Sequence, residues 1–271
     1  MQATTFDLAK SYNLTSEQIH AYRRDGHICL RKLASREEVE YFRPAIVHTV
    51  EEYAHAMPPH GVLEDPTAMF SQATNIWQKN ELLRELIFAE RFARIAAELM
   101  GVKGVRLYHD QALIKDPGGR ASPWHKDHYY WPLATHQTVK MWLALVDIPT
   151  EKGSMSYATG SHRGGLFPEL PIKNNSQDLY DQIIRDHSIE VRSYVLEAGD
   201  ALYHSGDVLH CARENVTTER REVVSVVYFA DGARVMKPDH EHRRVDLERF
   251  LPGLSPGDIA ATELNPLLFD G

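Results

Sequence analysis

Three residues of this 271-residue chain have the types and spacing of metal ligands. His125 and Asp127 are two positions apart, so on a strand both side chains project to the same side. A second histidine, His210, follows later in the chain and can supply a third ligand. Two histidines and one carboxylate form the facial triad that holds non-haem Fe(II) with open coordination positions. This constellation predicts an oxygen-activating enzyme.

Aromatic residues surround the His-x-Asp pair. Trp124 precedes it, and Tyr129 and Trp131 follow it at alternate positions. If the strand continues, these two residues share the face of the metal-binding candidates and form an aromatic wall beside the metal. In the alternative interpretation both are ordinary core residues.

Helical patterns dominate the first hundred residues. The segments Thr15-Ser16-Glu17-Gln18 and Ser35-Arg36-Glu37-Glu38 are capping boxes, each in front of a run with helical spacing. The further expected elements are a short strand at 26–31, a helix over 39–57 that ends before Pro58-Pro59, and a helix over 80–100 with Gly101 as its C-terminal cap.

The pattern changes to strands after Gly104. Stretches rich in Val, Ile, Tyr and Leu are separated by turn residues, and they lie at 105–114, 138–146, 190–196, 201–205 and 221–230. Short strands without alternating helices predict an antiparallel sandwich or a jelly-roll barrel. We expect 164–188 to be an irregular insertion and the chain from Pro238 onward to be a charged, partly loose tail.

Composition limits the functions that the chain can have. Hydrophobic residues make up 43% and charged residues 25%, which is ordinary globular usage. The net charge of -8 argues against a nucleic-acid-binding surface. Residues 1–13 contain no long apolar run, and no stretch approaches a membrane span. Cys29 and Cys211 are too few for a disulfide framework, so we expect a reducing, cytoplasmic location.

Taken in order, these motifs resemble the phytanoyl-CoA dioxygenase (PhyH) family of Fe(II)- and 2-oxoglutarate-dependent oxygenases. The matching stretches are Leu14 to Leu33, Trp124-His125-Lys126-Asp127, Met141-Trp142, Glu151-Lys152-Gly153-Ser154, Thr159-Gly160-Ser161-His162, and Ala198-Gly199-Asp200 through His210, Asn215 and Arg221. The resemblance implies a mainly β fold with flanking helices, built on a double-stranded β-helix (jelly-roll, cupin-like) barrel. We expect a single oxygenase domain over 1–271, with helical support at about 14–103, the jelly-roll core at about 104–230 and a tail at 231–271.

The resemblance also implies roles for individual residues. His125, Asp127 and His210 would bind the iron, and Arg221 would pair with the distal carboxylate of 2-oxoglutarate. The planar guanidinium suits such a bidentate pair. Arg220 is the competitor, but strand alternation favours Arg221, since its face also carries Val223, Ser225 and Val227.

One further histidine competes with His210 as the third ligand. His204 lies inside the predicted strand 201–205, directly after the Gly199-Asp200 turn. A core or surface histidine is the more common occupant of such a position. We therefore prefer His210.

Three residues are candidates for contacts with the small molecules. By the resemblance, Trp142 lies beside 2-oxoglutarate. Its strand neighbour Lys140 would share that face and pair with an anionic group of substrate or cosubstrate, although a solvated lysine is an equal alternative. Gln111 would donate to 2-oxoglutarate, or it would satisfy backbone groups.

The sequence departs from the family pattern at two positions. Ala212 replaces a serine that many members have two residues after the third ligand, so one hydrogen bond to 2-oxoglutarate is absent or replaced. Gln72 stands where the phytanoyl enzymes have lysine. The resemblance therefore supports the chemistry more strongly than an acyl-CoA substrate.

The implied reaction uses Fe(II), 2-oxoglutarate and O2, with ascorbate as the reductant in vitro, and releases succinate and CO2 while a small organic substrate is hydroxylated. Desaturation, epimerisation and cyclisation use the same chemistry and stay open. Asp127 fills the carboxylate position, which argues against halogenation. The alternatives from other classes are a cupin-type metal enzyme without 2-oxoglutarate and a ligand-binding module with structural histidines.

The substrate itself is predicted only in outline. Loops on such barrels set specificity, so we expect 164–188 and the N-terminal helices to form the pocket lid. Tyr129, Trp131 and Lys140 favour a mid-sized molecule with an apolar body and an acidic group. The sequence does not predict the oligomeric state.

Overall fold

The computed structural model describes residues 6–53, 70–172 and 174–271. Its helices are α1 Ser16–Asp25, α2 Arg36–Tyr53, α3 Glu81–Ile87, α4 Glu90–Met100, α5 Asn174–Asp186 and α6 Glu241–Phe250. Its strands are β1 His27–Leu30, β2 Ser71–Thr74, β3 Gly104–Lys115, β4 Ser122–His125, β5 Thr138–Ala144, β6 Met155–Ala158, β7 Val191–Ser193, β8 Ala201–Ser205, β9 His210–Ala212, β10 Arg221–Ala230 and β11 Leu267–Asp270. No helix in these ranges is both long enough and apolar enough to span a bilayer.

Both predicted capping boxes are confirmed. The Thr15 hydroxyl accepts from the backbone N–H of Gln18, whose side chain accepts from the backbone N–H of Thr15. Ser35 and Glu38 make the same reciprocal pair at the start of α2. These bonds satisfy backbone donors that a helix leaves free at its first turn.

The predicted helix over 80–100 is two helices. Asn80 caps α3, and Ala89, with φ -53° and ψ 113°, redirects the chain before α4 begins. Ile87 at the end of α3 and Phe92 near the start of α4 are both fully buried. The C-terminal cap at Gly101 is confirmed, with φ 73° in the left-handed region. The predicted end of the second helix at Pro58-Pro59 lies outside the described residues.

The strands form two antiparallel sheets. The larger follows the order β1-β8-β5-β10-β3-β11, with β2 also paired to β3, and the smaller follows β4-β9-β6-β7. Leu113, Trp142 and Val223 from the larger sheet share an apolar cluster with Met155 and Tyr157 from the smaller one. The sheets therefore pack face to face, and the predicted mainly β, jelly-roll fold is confirmed.

Strand alternation divides the larger sheet into two faces. Val224, Val226 and Tyr228 of β10 join the core cluster that the N-terminal helices cover. The alternate residues of β10 lie opposite His109, Gln111 and Leu113 of β3 on the inner face. The helices thus brace one face, while the other is left for the site.

Two segments are more regular than the sequence predicted. The expected irregular insertion at 164–188 contains the helix α5, and the expected loose tail after Pro238 contains α6 and β11. Strand β11 pairs with β3, and buried Asn265 donates to the carbonyls of Leu107 and Tyr108. The prediction of a loose tail was wrong. The segment is rich in charged residues, but its pairing with β3, which is distant in sequence, orders it.

Candidate metal and cosubstrate site

Two imidazoles meet where the smaller sheet pairs β4 with β9. His125 and His210 are direct partners in that register, and their ring centres lie 4.2 Å apart. Side chains of directly opposed residues on antiparallel strands project to one face. The strand pairing therefore brings together two histidines that are 85 positions apart in the sequence.

Backbone carbonyls set the proton positions of these two rings. His125 Nδ1 donates to the carbonyl of Pro123 at 2.8 Å, and His210 Nδ1 donates to that of Val208 at 3.0 Å. A carbonyl oxygen only accepts, so each Nδ1 carries the hydrogen and each Nε2 keeps a lone pair. Metal-binding histidines are oriented in the same manner.

Asp127 completes a three-donor cluster. Its carboxylate oxygens lie 3.8 Å from Nε2 of His125 and 3.8 Å from Nε2 of His210. These distances are too long for hydrogen bonds. They suit one ion at roughly 2.0–2.2 Å from each donor. The donor atoms of the three residues all lie within 4.8 Å of one another.

The segment that carries Asp127 is not a continuing strand. Strand β4 ends at His125, and Asp127–Tyr129 forms a 3-10 turn. The predicted alternation of Tyr129 and Trp131 with the metal candidates was therefore wrong. Trp131 lines the cavity described below, whereas Tyr129 lies outside the residues that line it and stacks on His240 at 4.3 Å.

His204 also contacts Asp127, but with the opposite tautomer. Its Nε2 donates to Oδ2 of Asp127 at 3.2 Å, and its Nδ1 accepts from the hydroxyl of Tyr157 at 3.1 Å. With a proton on Nε2, His204 offers the centre a donor rather than a lone pair. It is fully buried, so this arrangement is held by its surroundings.

Lys140 is the cation nearest to the carboxylate. Its Nζ lies 3.4 Å from Oδ2 of Asp127, from the inner face of β5. Burial by itself raises the pKa of Asp127, but Lys140 and the neighbouring histidines hold that pKa well below its usual value. The carboxylate is therefore ionised and ready to bind a cation.

Arg221 lies buried on the same inner face without a carboxylate partner in the described ranges. It begins β10 opposite Lys115, and its guanidinium donates to the carbonyl of Gly153 at 3.0 Å. The Nε atom of Arg221 has no hydrogen-bond partner among the described residues. Burial lowers the pKa of Arg221 to about 9. Such a guanidinium gains a large stabilisation from a bound carboxylate.

Of the other candidates, Trp142 lies beside this guanidinium and Gln111 lies at the cavity. The guanidinium carbon of Arg221 is 5.2 Å from the centre of the Trp142 ring. Gln111 donates to the side chain of Gln72 at 3.3 Å, and both amides line the cavity. Ala212, the predicted departure, is buried on β9.

A cavity of about 100 Å³ lies beside part of this site. The proposed ligands His125 and Asp127 line it, together with Trp131, Lys140 and the two glutamines. Tyr130, His109 and Asp246 also line it, and sequence reasoning missed all three. The strand alternation of β3 could have found His109, since it shares a face with Gln111. Asp246 comes from α6, in the segment taken for a loose tail.

The fold and this donor set define the class of protein: a jelly-roll enzyme with a two-histidine, one-carboxylate centre and a buried arginine on the inner face of the larger sheet. The sequence profile of the phytanoyl-CoA dioxygenase family (PhyH) matches residues 22–223, about three quarters of the chain. The chain belongs to this family. The predicted enzyme class, an Fe(II)- and 2-oxoglutarate-dependent dioxygenase, is confirmed.

Individual relatives agree with this assignment. Ectoine dioxygenase of Nocardia farcinica is 25% identical over 242 residues, which cover 82% of this chain and 80% of the relative. The crystal structure of SnoK, a non-haem α-ketoglutarate-dependent carbocyclase from nogalamycin biosynthesis, superposes with a TM-score of 0.78 at 28% identity, over 94% of this chain and 96% of SnoK. The epimerase SnoN, in complex with Fe3+, α-ketoglutarate and nogalamycin RO, shares the fold with a TM-score of 0.75 at 24% identity, over 93% of this chain and 97% of SnoN.

Proposed function

We propose that His125, Asp127 and His210 bind Fe(II), and that Arg221 binds the distal carboxylate of 2-oxoglutarate. The single observation that carries the metal assignment is the shared orientation of two unprotonated Nε2 atoms, each 3.8 Å from the Asp127 carboxylate. Without an ion, two lone pairs and a carboxylate facing one another are unfavourable. The donor set suits non-haem iron with three open positions.

The cosubstrate assignment rests on Arg221, for whose charge the described parts of the chain provide no carboxylate partner. This guanidinium is buried and contacts Trp142, and its Nε has no hydrogen-bond partner among residues 6–53, 70–172 and 174–271. Arg221 would hold the distal carboxylate of 2-oxoglutarate, while the iron held by His125, Asp127 and His210 would bind its keto-acid end. Arg221 lies on the same sheet face as the residues around the cavity, so it is placed to receive that group.

The residues of the chain have separate tasks in the reaction. Iron held by His125, Asp127 and His210 would, together with 2-oxoglutarate, supply the oxidative activation of O2, with succinate and CO2 as the products of the keto acid. His204 holds Oδ2 of Asp127 by a hydrogen bond, and Tyr157 fixes the tautomer of His204. The role of this pair is positioning: it restrains the carboxylate while one of its oxygens binds the ion.

The substrate is a small organic molecule whose target carbon enters the cavity near His125 and Asp127. Tyr130 and Trp131 give the cavity an apolar wall, and Lys140 supplies a positive charge beside them. We infer that a substrate with an apolar body and an anionic group fits this lining. The cavity is smaller than the roughly 300–1,000 Å³ of drug-sized sites, so it accommodates the reacting part of such a molecule.

The reaction outcome that we propose first is hydroxylation of an unactivated C–H bond. Cyclisation is the second candidate, because SnoK, the relative with 28% identity, is a carbocyclase. Both outcomes require the same three ligands and the same cosubstrate. Product analysis by mass spectrometry separates them, since hydroxylation adds one oxygen atom and cyclisation removes two hydrogen atoms.

We further propose that the chain works in the cytoplasm as a single oxygenase domain. Its two cysteines, Cys29 and Cys211, are both free. Burial raises the pKa of Cys29 to about 11, so that thiol is unreactive. Thiols in this state fit a reducing compartment.

The experiment that tests the proposed function is a succinate assay with purified protein. Candidate small molecules are screened for their ability to stimulate succinate release in the presence of Fe(II), 2-oxoglutarate, O2 and ascorbate. Release that requires the metal and is lost in Asp127→Ala supports the proposal. Release that persists in Asp127→Ala, or that proceeds without iron, contradicts it.

A further inference from the structure

A second cluster of two histidines and one carboxylate lies next to the proposed iron site. His128, His136 and Asp207 each bring a possible ligand atom within 4.8 Å of the others. None of them belongs to the iron site or lines the cavity. His128 and Asp207 are buried, whereas the side chain of His136 is 77% exposed. The cluster is therefore open to solvent on one side.

The hydrogen bonds of His128 leave one nitrogen without a partner. Its Nε2 donates to the carbonyl of Thr135 at 2.7 Å, so the hydrogen is on Nε2 and Nδ1 keeps its lone pair. This buried Nδ1 has no hydrogen-bond partner in the described ranges of the chain. A carbonyl that accepts from the second ring nitrogen is the usual support of a metal-binding histidine.

The unpartnered nitrogen points to the carboxylate of Asp207. Nδ1 of His128 lies 3.9 Å from Oδ1 of Asp207, too long for a hydrogen bond and suitable for two ligands of one ion. A lone pair and a carboxylate in a buried place are compatible when a cation lies between them.

His136 supplies the third donor. Its Nδ1 is 2.9 Å from Oδ2 of Asp207, and its ring stacks on that of His128 with centres 4.8 Å apart. In the absence of a metal this Nδ1–H donates a hydrogen bond to the carboxylate. A metal bound to Nδ1 would require the ring hydrogen to be on Nε2, a change of tautomer that the exposed side chain permits through exchange with solvent.

From this geometry we infer that His128, His136 and Asp207 form a second metal site, selective for a zinc-like divalent transition ion. Two imidazoles and one carboxylate suit such ions and leave a position for water. The site would join two segments: the turn that carries Asp127, and the residues between β8 and β9 that lead to His210. A bound ion would therefore brace the chain around the proposed iron ligands.

The test counts metal ions in the metal-free, full-length protein after equilibrium dialysis against zinc. Zinc also occupies a two-histidine, one-carboxylate iron site, so the wild-type protein and the control His187→Ala, an exposed histidine, should each bind two ions. His136→Ala and His210→Ala should each bind one, and the double variant none. Because His136 is exposed, its removal should not prevent folding.

A thermal measurement separates this site from the iron site. Zinc should raise the melting temperature of His210→Ala, because an ion that binds only the folded state stabilises it. The rise should disappear in His136→Ala/His210→Ala. The inference is overturned if His210→Ala binds no zinc, or if the double variant still binds one ion and keeps the thermal shift. Failure of the iron site alone would appear differently, as one zinc ion in both the wild type and His210→Ala and none in His136→Ala.

Discussion

His204 donates a hydrogen bond to Oδ2 of Asp127 at 3.2 Å, while His210 presents an unprotonated nitrogen to the same oxygen at 3.8 Å. Two buried histidines thus approach one carboxylate as opposite tautomers. The difference comes from their second partners, the Tyr157 hydroxyl for His204 and the Val208 carbonyl for His210. This difference in tautomer makes His204 a positioning residue and His210 a candidate ligand.

The first prediction compares these two histidines. His210→Ala should lose bound iron, because a facial triad with two remaining ligands holds the ion poorly. His204→Ala should retain iron with about 10–100-fold weaker affinity, the usual effect of losing an outer-shell partner. Iron titration under anaerobic conditions measures both. Equal iron affinity in His210→Ala and the wild type would refute the ligand assignment.

The second prediction concerns Arg221. Arg221→Lys keeps the charge but removes the fork that binds a carboxylate through two nitrogens, so KM for 2-oxoglutarate should rise by roughly tenfold to a hundredfold. Arg220→Lys is the matched control, since Arg220 is partly exposed and pairs with Glu51 and Asp116. Succinate formation at varied 2-oxoglutarate gives KM. A larger rise in KM for Arg220→Lys than for Arg221→Lys would show that Arg220, and not Arg221, binds the cosubstrate.

The third prediction tests whether Lys140 contacts the substrate. Lys140→Met removes the positive charge from the cavity lining while keeping much of the side-chain volume. Iron content and succinate formation without substrate should stay near the wild-type level, and KM for an anionic substrate should rise about tenfold, as for the loss of one charged hydrogen bond. An unchanged KM, or a parallel loss of iron, would show that Lys140 serves only Asp127.

The fourth prediction concerns stability and pH. Burial raises the pKa of Asp110 from 3.8 to about 7, against hydrogen bonds from the backbone of Ile76 and Trp77 that lower it. The folded protein therefore retains a proton that the unfolded chain releases near pH 4, so this group's contribution to stability falls as the pH rises from about 4 to 7. The contribution is on the order of a few kcal/mol.

Asp110→Asn removes this titration and keeps an oxygen that can accept from Ile76, as Oδ1 of Asp110 does at 2.9 Å. Its free energy of unfolding should therefore fall less between pH 4 and 7 than that of the wild type. Urea unfolding at several pH values provides the comparison. Identical pH dependence in the two proteins would mean that Asp110 is ionised throughout this range.

Much of the site could be predicted from sequence because short patterns encode it. Alternation along a strand is sufficient to put Arg221 on the face of Val223 and Ser225, and β10 has that alternation. The capping boxes likewise depend on residues three positions apart. The fold class followed from the spacing of apolar segments and turns, together with the family resemblance.

The rest depended on contacts between distant segments. The 3-10 turn at Asp127–Tyr129 contains no glycine or proline, so the local sequence predicts a continuing strand. A continuing strand would put Tyr129 beside the metal. The break between α3 and α4 at Ala89 likewise has no glycine or proline to mark it, so the sequence predicts one continuous helix there. The tautomer of His204 is set by Tyr157, 47 positions away, and only the packed sheets reveal that contact.

The most direct test of the central claim is succinate release by the wild-type protein and His210→Ala, each supplied with Fe(II), 2-oxoglutarate, O2 and ascorbate, with His187→Ala as the matched control. The wild type and the control should release succinate in amounts that depend on iron, while His210→Ala should release none above background. If His210→Ala released as much succinate as the wild type, this result would contradict the assignment of the metal centre.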